Sequence, residues 1–529
     1  MRTLRALTLT LAAMLPGTPA LAADTPVKSK IVAVDLFKNG LAIVKREVTL
    51  GKAGTYSIDD VPTPVHGTFY IDSTGTVDAA VKMRDVEVPA SEVAPGNLQD
   101  DLAGKKVTVH FKGDKRAPLS GTMLKIKPAK DEPGAGRFLV LQTAKGRVYI
   151  EPSEVAAVES DDAGTTVTRR RPQLVLTLQE PKEGEKGERK DGVQVTIRYI
   201  AHGLSWAPSY RLDITDPKTL LLEQHAVVRN ELADLDGVEV RLISGYPSVQ
   251  YAHVRSPLSP RTSLAAFFAE LAGSPRWEAD ALSNSIVSQQ AVSMNNFRNP
   301  HAVALGATPV GEGVDLHYQS IGKRTLADGD SLALTVAKGK AEYERIVEWL
   351  VPDTRNIYGQ PDGSGGADDV WDALKFKNPL AFPMTTGPAT VTANGLFNGQ
   401  RTSYWVNSGE ETVLRVEKAL SVRTRATENE QLNKDGSGRD LIWLGGRQYR
   451  KTTVEGELAV SNHRKETISL VIRRRFSGEL VQAEGDPKRQ LREEGVYSVN
   501  KRQEMLWTMP LKGGEEKKLK YTYTVLMPH

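Results

Sequence analysis

At 529 residues the chain is too long for a single hydrophobic core and long enough for three or four domains. Its 69 basic and 65 acidic residues leave a net charge of +4, a balance that asks for neither nucleic acid nor an anionic membrane. There is no cysteine, which excludes disulfides, a thiol nucleophile, thiolate metal sites and a lipid-modified cysteine.

Residues 1–22 have the layout of a signal peptide: Arg2 and Arg5, an apolar run from Ala6 to Leu15, and the small-residue site Ala20, Leu21, Ala22. The apolar run is too short to span a bilayer, and no later stretch of eighteen apolar residues follows. Removal of the segment leaves 67 basic residues against 65 acidic ones. A cysteine-free exported chain is expected in the periplasm or outside a bacterial cell.

Residues 23–100 are expected to form an N-terminal β domain. Val32, Val34 and Leu36 alternate, Asn39-Gly40 signals a type I′ hairpin, and Ala42, Val44 and Arg46 run back. Residues 101–160 carry five short strands with a Gly121 bend and a Lys145-Gly146 turn, the pattern of a small SH3-like or Sm-like barrel. Arg169, Arg170 and Arg171 lead directly into alternating Leu174, Leu176 and Leu178, so they are taken as a strand entry rather than a basic patch. Residues 180–192 form a charged, glycine-rich loop without an apolar anchor.

The stretch from Val193 to Pro260 is the most informative. Val193, Val195, Ile197 and Tyr199 alternate with polar neighbours, Trp206, Ala207 and Pro208 are expected to turn the chain, and Tyr210, Leu212 and Ile214 resume the alternation. Leu220, Leu222 and Ala226 mark a third strand, Val238, Val240 and Leu242 a fourth, and Gly245, Tyr246 and Pro247 a closing corner. The set formed by Leu204–Tyr210, Ala226–Asn230, Asp234–Asp236 and Ile243–Pro247 resembles the domain-of-unknown-function family that includes the mucoidy inhibitor A-like proteins. The resemblance implies an N-terminal β domain, a core sandwich over 161–358 and a C-terminal sandwich over 370–529. It implies no chemistry. The long helical hairpin of typical members has no counterpart here.

Residues 261–309 interrupt the β pattern as a helical and flexible arm. Leu264, Phe267, Phe268 and Leu271 sit at helical spacing, with Thr262 or Ser263 as cap and Gly273 as stop. A helix this short must pack on something. It either tucks onto its own sheet or docks a neighbour through Phe267 and Phe268. Residues 317–351 return to strand, and 359–369 read as a Gly/Asp linker. From Leu374 to the end, strands recur every ten to fifteen residues between turn signals such as Asn394-Gly395 and Asn398-Gly399.

No residue earns a catalytic, cofactor-binding or metal-ligating assignment, and no cofactor is expected. The nine histidines form no i, i+2 or i, i+4 pair. His202, His225 and His253 are the three that a converging site would use; as plain strand and turn residues they need no site. Ser205 lacks an identifiable base. Asp234 and Asp236 are a carboxylate pair or, more simply, turn caps. The run Asn433, Asp435, Ser437, Asp440 begins like a calcium loop, but Leu444 stands where the closing acid belongs. Trp405 and Trp443 flank hairpins where a sugar-stacking platform would sit, though core burial also explains a tryptophan.

The expected fold is therefore all-β, made of multi-domain β-sandwiches with an inserted small SH3-like barrel and one short helical arm. The expected function is that of an exported, non-enzymatic envelope protein that presents sandwich loops and the arm to a protein or polysaccharide partner. The alternatives are a glycan-binding module and a metal- or carboxylate-dependent hydrolase. The sequence carries no sign of oligomeric state.

Overall fold

The computed structural model describes residues 24–89, 98–113, 116–126, 138–160, 166–180, 192–245, 247, 249–260, 262–272, 316–353, 355, 369–431, 440–492 and 499–528. The expected signal peptide, the loop at 181–191, the arm beyond Ala272, the linker at 359–368 and the calcium-like run at 433–439 lie outside the described residues. The fold is all-β with several sheets, and the one helix longer than a single turn among the described residues is Leu264–Ala272. No described helix is long and apolar enough to cross a membrane.

The chain divides into two compact units. The first comprises Met1–Ala33, Ile43–Ala201 and Tyr251–Gly273. Its longest pairing is a ribbon in which Val77–Pro89 runs antiparallel to Thr166–Leu178, from Val77 opposite Leu178 to Pro89 opposite Thr166. The expected strand entry at Arg169, Arg170 and Arg171 lies inside this ribbon, and Arg169 pairs with Asp101. Leu174, Leu176 and Leu178 are buried as the period-2 pattern predicts. In Val193–His202 the same pattern puts Val193, Val195, Ile197 and Tyr199 inside and Gln194 and Arg198 outside.

The inserted strands Lys106–Phe111, Leu119–Met123, Leu139–Thr143, Gly146–Ile150 and Val155–Ser160 fall where expected. They form one sheet, with Gly146–Ile150 at one edge and Val155–Ser160 at the other. No ladder among the described residues joins those two edges, so the insert is an open five-stranded sheet rather than a closed barrel. Val107, Val109, Met123, Leu139, Leu141 and Ile150 fill its core. Gln99 stitches it from below, donating to the carbonyl of Val140 at 3.1 Å and accepting from that residue's N–H at 2.7 Å.

The second unit comprises Val34–Ala42, His202–Gln250 and Ser274–His529. The Asn39-Gly40 hairpin forms as expected, but only Gly40 adopts a positive φ, so the turn is not type I′. Asn394-Gly395 has positive φ at both residues and is the type I′ case. The expected turn at Trp206–Pro208 is instead part of a continuous strand, Leu204–Asp213. Pro208 is tolerated there because the parallel neighbour, Gly387–Ala393, pairs only from Tyr210 onward. The strand begins just after Gly203, which has positive φ and where a Cβ would sit 2.9 Å from the carbonyl oxygen of Glu231.

Ser331–Val351 is the long strand of this unit. Its first half pairs with Thr219–Asn230, and its second half pairs with Val370–Lys377 on one side and Ile468–Ser477 on the other. It thereby serves two cores. One gathers Tyr210, Leu212, Leu222, Phe376, Met384 and Val391. The other gathers Trp349, Leu458, Ile472, Trp507, Tyr521 and Tyr523.

One corner motif occurs three times in this unit. Asn230, Asn378 and Asn462 each stand at or just past a strand end and are buried. The Asn230 amide donates to the carbonyls of Ala233, Leu326 and Ala327 at 2.8–3.0 Å. Asn378 does the same to Phe382, Val406 and Asn407 at 3.1–3.2 Å. Asn462 does so to Glu466, Leu511 and Lys512 at 3.0–3.1 Å. Each side-chain oxygen accepts the N–H two residues on, from Leu232, Leu380 and Arg464.

The facing hairpins are LADGD at 326–330, VNSGE at 406–410 and LKGGE at 511–515. In each, the glycine (Gly329, Gly409, Gly514) has positive φ and donates its N–H to the asparagine's own carbonyl. In each, the closing acid (Asp330, Glu410, Glu515) folds back onto the N–H three residues earlier. The register agrees as well: Arg229 opposes Ser331, Lys377 opposes Glu411, and Ser461 opposes Glu516. The unit is thus built on three copies of one corner.

An amide supplies the N–H donors and the acceptor that each corner requires, so no isostere replaces it. Leaving a buried polar group unsatisfied costs about 1–3 kcal/mol. Asn462→Ala is expected to lower stability by about 3 kcal/mol in urea denaturation, and Asn462→Asp by at least as much because a carboxylate cannot donate. A loss below about 1 kcal/mol in both variants would show that the corner does not depend on the amide.

Candidate functional site

One bonded set of charged and phenolic groups lies inside the second core. Val422–Gln431 alternates across its sheet and turns Glu428 inward, Ile468–Ser477 turns Arg474 inward, and Glu516–Pro528 contributes Tyr521 and Tyr523. Arg474 is 1% exposed; its guanidinium pairs with Glu428 and donates to the Tyr521 hydroxyl at 2.9 Å. Tyr521 and Tyr523 donate to the two Glu428 oxygens at 2.7 and 3.1 Å. Arg355 continues the chain of bonds, reaching Tyr523 at 3.2 Å and Glu430 at 3.1 Å. Gly456 makes room for the Tyr521 ring, since a Cβ there would stand 2.1 Å from it.

The electrostatics of this set lock it. Burial alone would raise the Glu428 carboxyl, but Arg474 and the two tyrosine hydroxyls overturn that and hold it below its ordinary value. Burial works against the Arg474 charge, yet its surroundings, Tyr521 and Glu428 foremost, raise it overall. Burial pushes both tyrosine hydroxyls up. The first unit repeats the arrangement on a smaller scale. There buried Arg46 donates to the Tyr199 hydroxyl at 2.8 Å and pairs with Asp60, and despite the cost of burial its pKa is raised.

Other displaced groups move the same way relative to neutrality. Hydrogen bonds from Lys338, from Thr215, and from the backbone of Lys218 and Thr219 lower Glu223, Asp213 and Asp216 respectively. Hydrogen bonds to Asp35 and Asp372 raise Arg241 and Arg464. A general acid or base needs the opposite displacement, toward the working pH.

The residues singled out in the sequence are mostly absorbed by the fold. Trp206 and Tyr210 are core residues; Trp206 donates to the carbonyl of Ile243 at 3.0 Å and Tyr210 to that of Thr385 at 2.8 Å. Ser205 is a strand residue opposite Arg229. Asp234 accepts the N–H of Asp328 at 2.9 Å, the turn-capping role. His225 lies near Thr335 and Glu223. Among the described residues no three His, Asp or Glu side chains are grouped to hold a metal. Ser263 caps the helix by accepting the N–H of Ala266 at 3.1 Å. Phe267 is buried against the ring of His66, 5.0 Å away. The helix is therefore tucked onto its own unit, and Phe267 is not free to dock a neighbour. Phe268, Leu264 and Leu271 remain exposed.

Two open grooves of about 560 and 510 Å³ lie on the second unit. The first is lined by Lys340, Glu342, Lys375 and Glu411, and the second by Thr427, Asn429, Glu455, Glu457 and Lys520. What stands out instead are apolar residues on hairpins. Leu396 and Phe397, 71% and 68% exposed, follow the Asn394-Gly395 turn. Trp443 is 70% exposed on a second hairpin. Tyr404 is exposed beside half-buried Trp405, whose indole N–H reaches Asn407 at 3.0 Å. Compared with known proteins, the chain matches no family model and no curated protein.

The pH dependence of the interior cluster follows from its signs. Glu428 is held below its unfolded value of about 4.3, so its stabilisation is complete at neutral pH and is lost as pH falls through the lower folded value. Tyr521 and Tyr523 are held above about 10, so their contribution disappears only as pH rises through their folded values. The stability difference between wild type and Glu428→Gln, read from urea midpoints, is expected to be constant from pH 6 to 8 and to shrink below pH 4. Arg474→Met, which strands a buried carboxylate, is expected to cost about 3–5 kcal/mol. A pH-independent difference down to pH 3 would contradict the assignment.

Proposed function

We propose that this is an exported, non-enzymatic envelope protein that presents its hairpin tips and the Leu264–Ala272 helix to a partner. The observation that carries the reading is a contrast. Glu428, Arg474, Tyr521 and Tyr523 in the interior are bonded to one another and displaced away from neutrality, while large apolar side chains stand in solvent at Leu396, Phe397 and Trp443. Proteins rarely leave such residues exposed without a use for them. The signal-peptide layout of residues 1–22 and the absence of cysteine support export. The motifs at Leu204–Tyr210 and Ile243–Pro247, in their resemblance to the mucoidy inhibitor A-like family, support a place in the envelope. A glycan partner is the second reading, favoured by Tyr404, Trp405 and Asn407, which join two aromatic rings to an amide as a sugar platform does.

Export predicts that the chain recovered from a periplasmic fraction begins at Ala23; an intact Met1 in the cytoplasmic fraction would refute it. For the partner, the purified chain and its Leu396→Ser/Phe397→Ser variant are compared as bait in envelope extract. Loss of a specific protein from the variant supports the reading. Retardation of both on a polysaccharide affinity gel, with equal protein recovery, favours the glycan reading instead.

A further inference from the structure

Asp440–Leu444 and the start of Arg447–Asn462 form a hairpin at one edge of their sheet. Its turn, Gly445-Gly446, has positive φ at both residues, the tight two-residue form. Among the described residues the Asp440–Leu444 strand pairs only with Arg447–Lys451, and the next strand, Glu516–Pro528, pairs with this hairpin only from Tyr449 onward. Among the described residues, 443–448 have no ladder partner beyond their own hairpin. Four consecutive apolar residues are exposed on it: Leu441 at 36%, Ile442 at 37%, Trp443 at 70% and Leu444 at 47%.

Strand alternation sends Leu441 and Trp443 to one face and Ile442 and Leu444 to the other. A protein groove would cover one face and leave the second wet. A medium that surrounds the tip covers both. A sugar platform is ill served too, since the neighbours of Trp443 along the strand are aliphatic and offer hydroxyls no hydrogen bonds. From Leu441 to Lys451 the sequence holds Arg447, Arg450 and Lys451 and no acid. Arg450 lies 3.9 Å from Glu430, Lys451 stands opposite Asp440 in the ladder, and Arg447 is exposed beside the turn. The whole-chain charge balance asks for no anionic membrane. Locally, however, three cations, Arg447, Arg450 and Lys451, outnumber the acids Asp440 and Glu430 beside an aromatic and aliphatic tip. That is the chemistry of the interface of an anionic bilayer. The free backbone groups of the edge strand set its depth, because they must keep water or headgroups as partners.

We propose that this hairpin is a membrane-surface tip that inserts Trp443 and Leu444 among the headgroups of an anionic phospholipid bilayer. The proposal rests on the envelope reading for its biological setting, but its test uses purified full-length mature chain and does not depend on export or on any protein partner. The chain is mixed with vesicles of phosphatidylcholine alone or with one third phosphatidylglycerol, and sedimentation and tryptophan emission are read. Binding is expected to be at least tenfold tighter to the anionic vesicles, with a blue-shifted emission quenched by brominated acyl chains.

Trp443→Ser/Leu444→Ser should weaken binding tenfold or more and abolish the emission shift. Each cation contributes about fivefold, so Arg447→Glu/Lys451→Glu should weaken binding by more than tenfold while leaving urea midpoints unchanged. Equal affinity for both vesicle types, or binding that neither variant reduces, overturns the proposal. So does an emission change at Trp443 produced by a soluble oligosaccharide, or by raising the protein concentration without vesicles, which would assign the tip to a glycan or to a second copy of the chain.

Discussion

Three buried amides hold the second unit in register. An asparagine at each corner joins its own strand end to the two carbonyls that open a distant hairpin, and the hairpin's glycine answers by bonding the asparagine's carbonyl. The bonds are short-range and directional, so they fix the strand that leaves the hairpin to one alignment against the strand that enters the corner. Apolar burial alone would accept a slip of two residues, which keeps every side chain on its face. The amides do not.

With alignment fixed at the corners, one strand is able to serve two interiors. Ser331–Val351 leaves the first asparagine corner, lines one core, passes Gly339 where a side chain would strike Pro379, and enters the second core at Val347 and Trp349. The polar set of Glu428, Arg474, Tyr521 and Tyr523 sits in that second core. Its geometry is close, but each group stabilises the charge state its neighbour already prefers, so protons stay where they are. Such a set specifies packing rather than chemistry.

Much of the fold was legible because a period of two is a local property. Val193–Tyr199 and Leu174–Leu178 needed only their own neighbours to be placed correctly. Trp206–Pro208 reads as a turn because proline is a breaker, while its acceptance in a strand depends on a partner, Gly387–Ala393, that lies far along the chain. The corners escaped notice for a similar reason. LADGD, VNSGE and LKGGE are unremarkable turns alone, and each meets its asparagine only in three dimensions, with the donor 28 to 96 residues away. Closure of the inserted sheet was equally beyond reach, since strand count does not reveal which edges meet. Of the candidate surface, the sequence marks Trp443 beside a hairpin but not the exposure of Leu441, Ile442 and Leu444 around it, because an apolar run reads as interior until its place at a sheet edge is known.

The ribbon in the first unit bears on how this chain came to be. Pro89 and Thr166 face each other at its far end, so the polypeptide departs and returns through one doorway. The described insert has a core of its own made by Val107, Met123 and Leu141, and Arg169–Asp101 and Lys125–Asp85 tie it to the ribbon. Such an insert has room to lengthen at its far edge without touching the ribbon's ladder, whereas its deletion would strand Arg169 without Asp101.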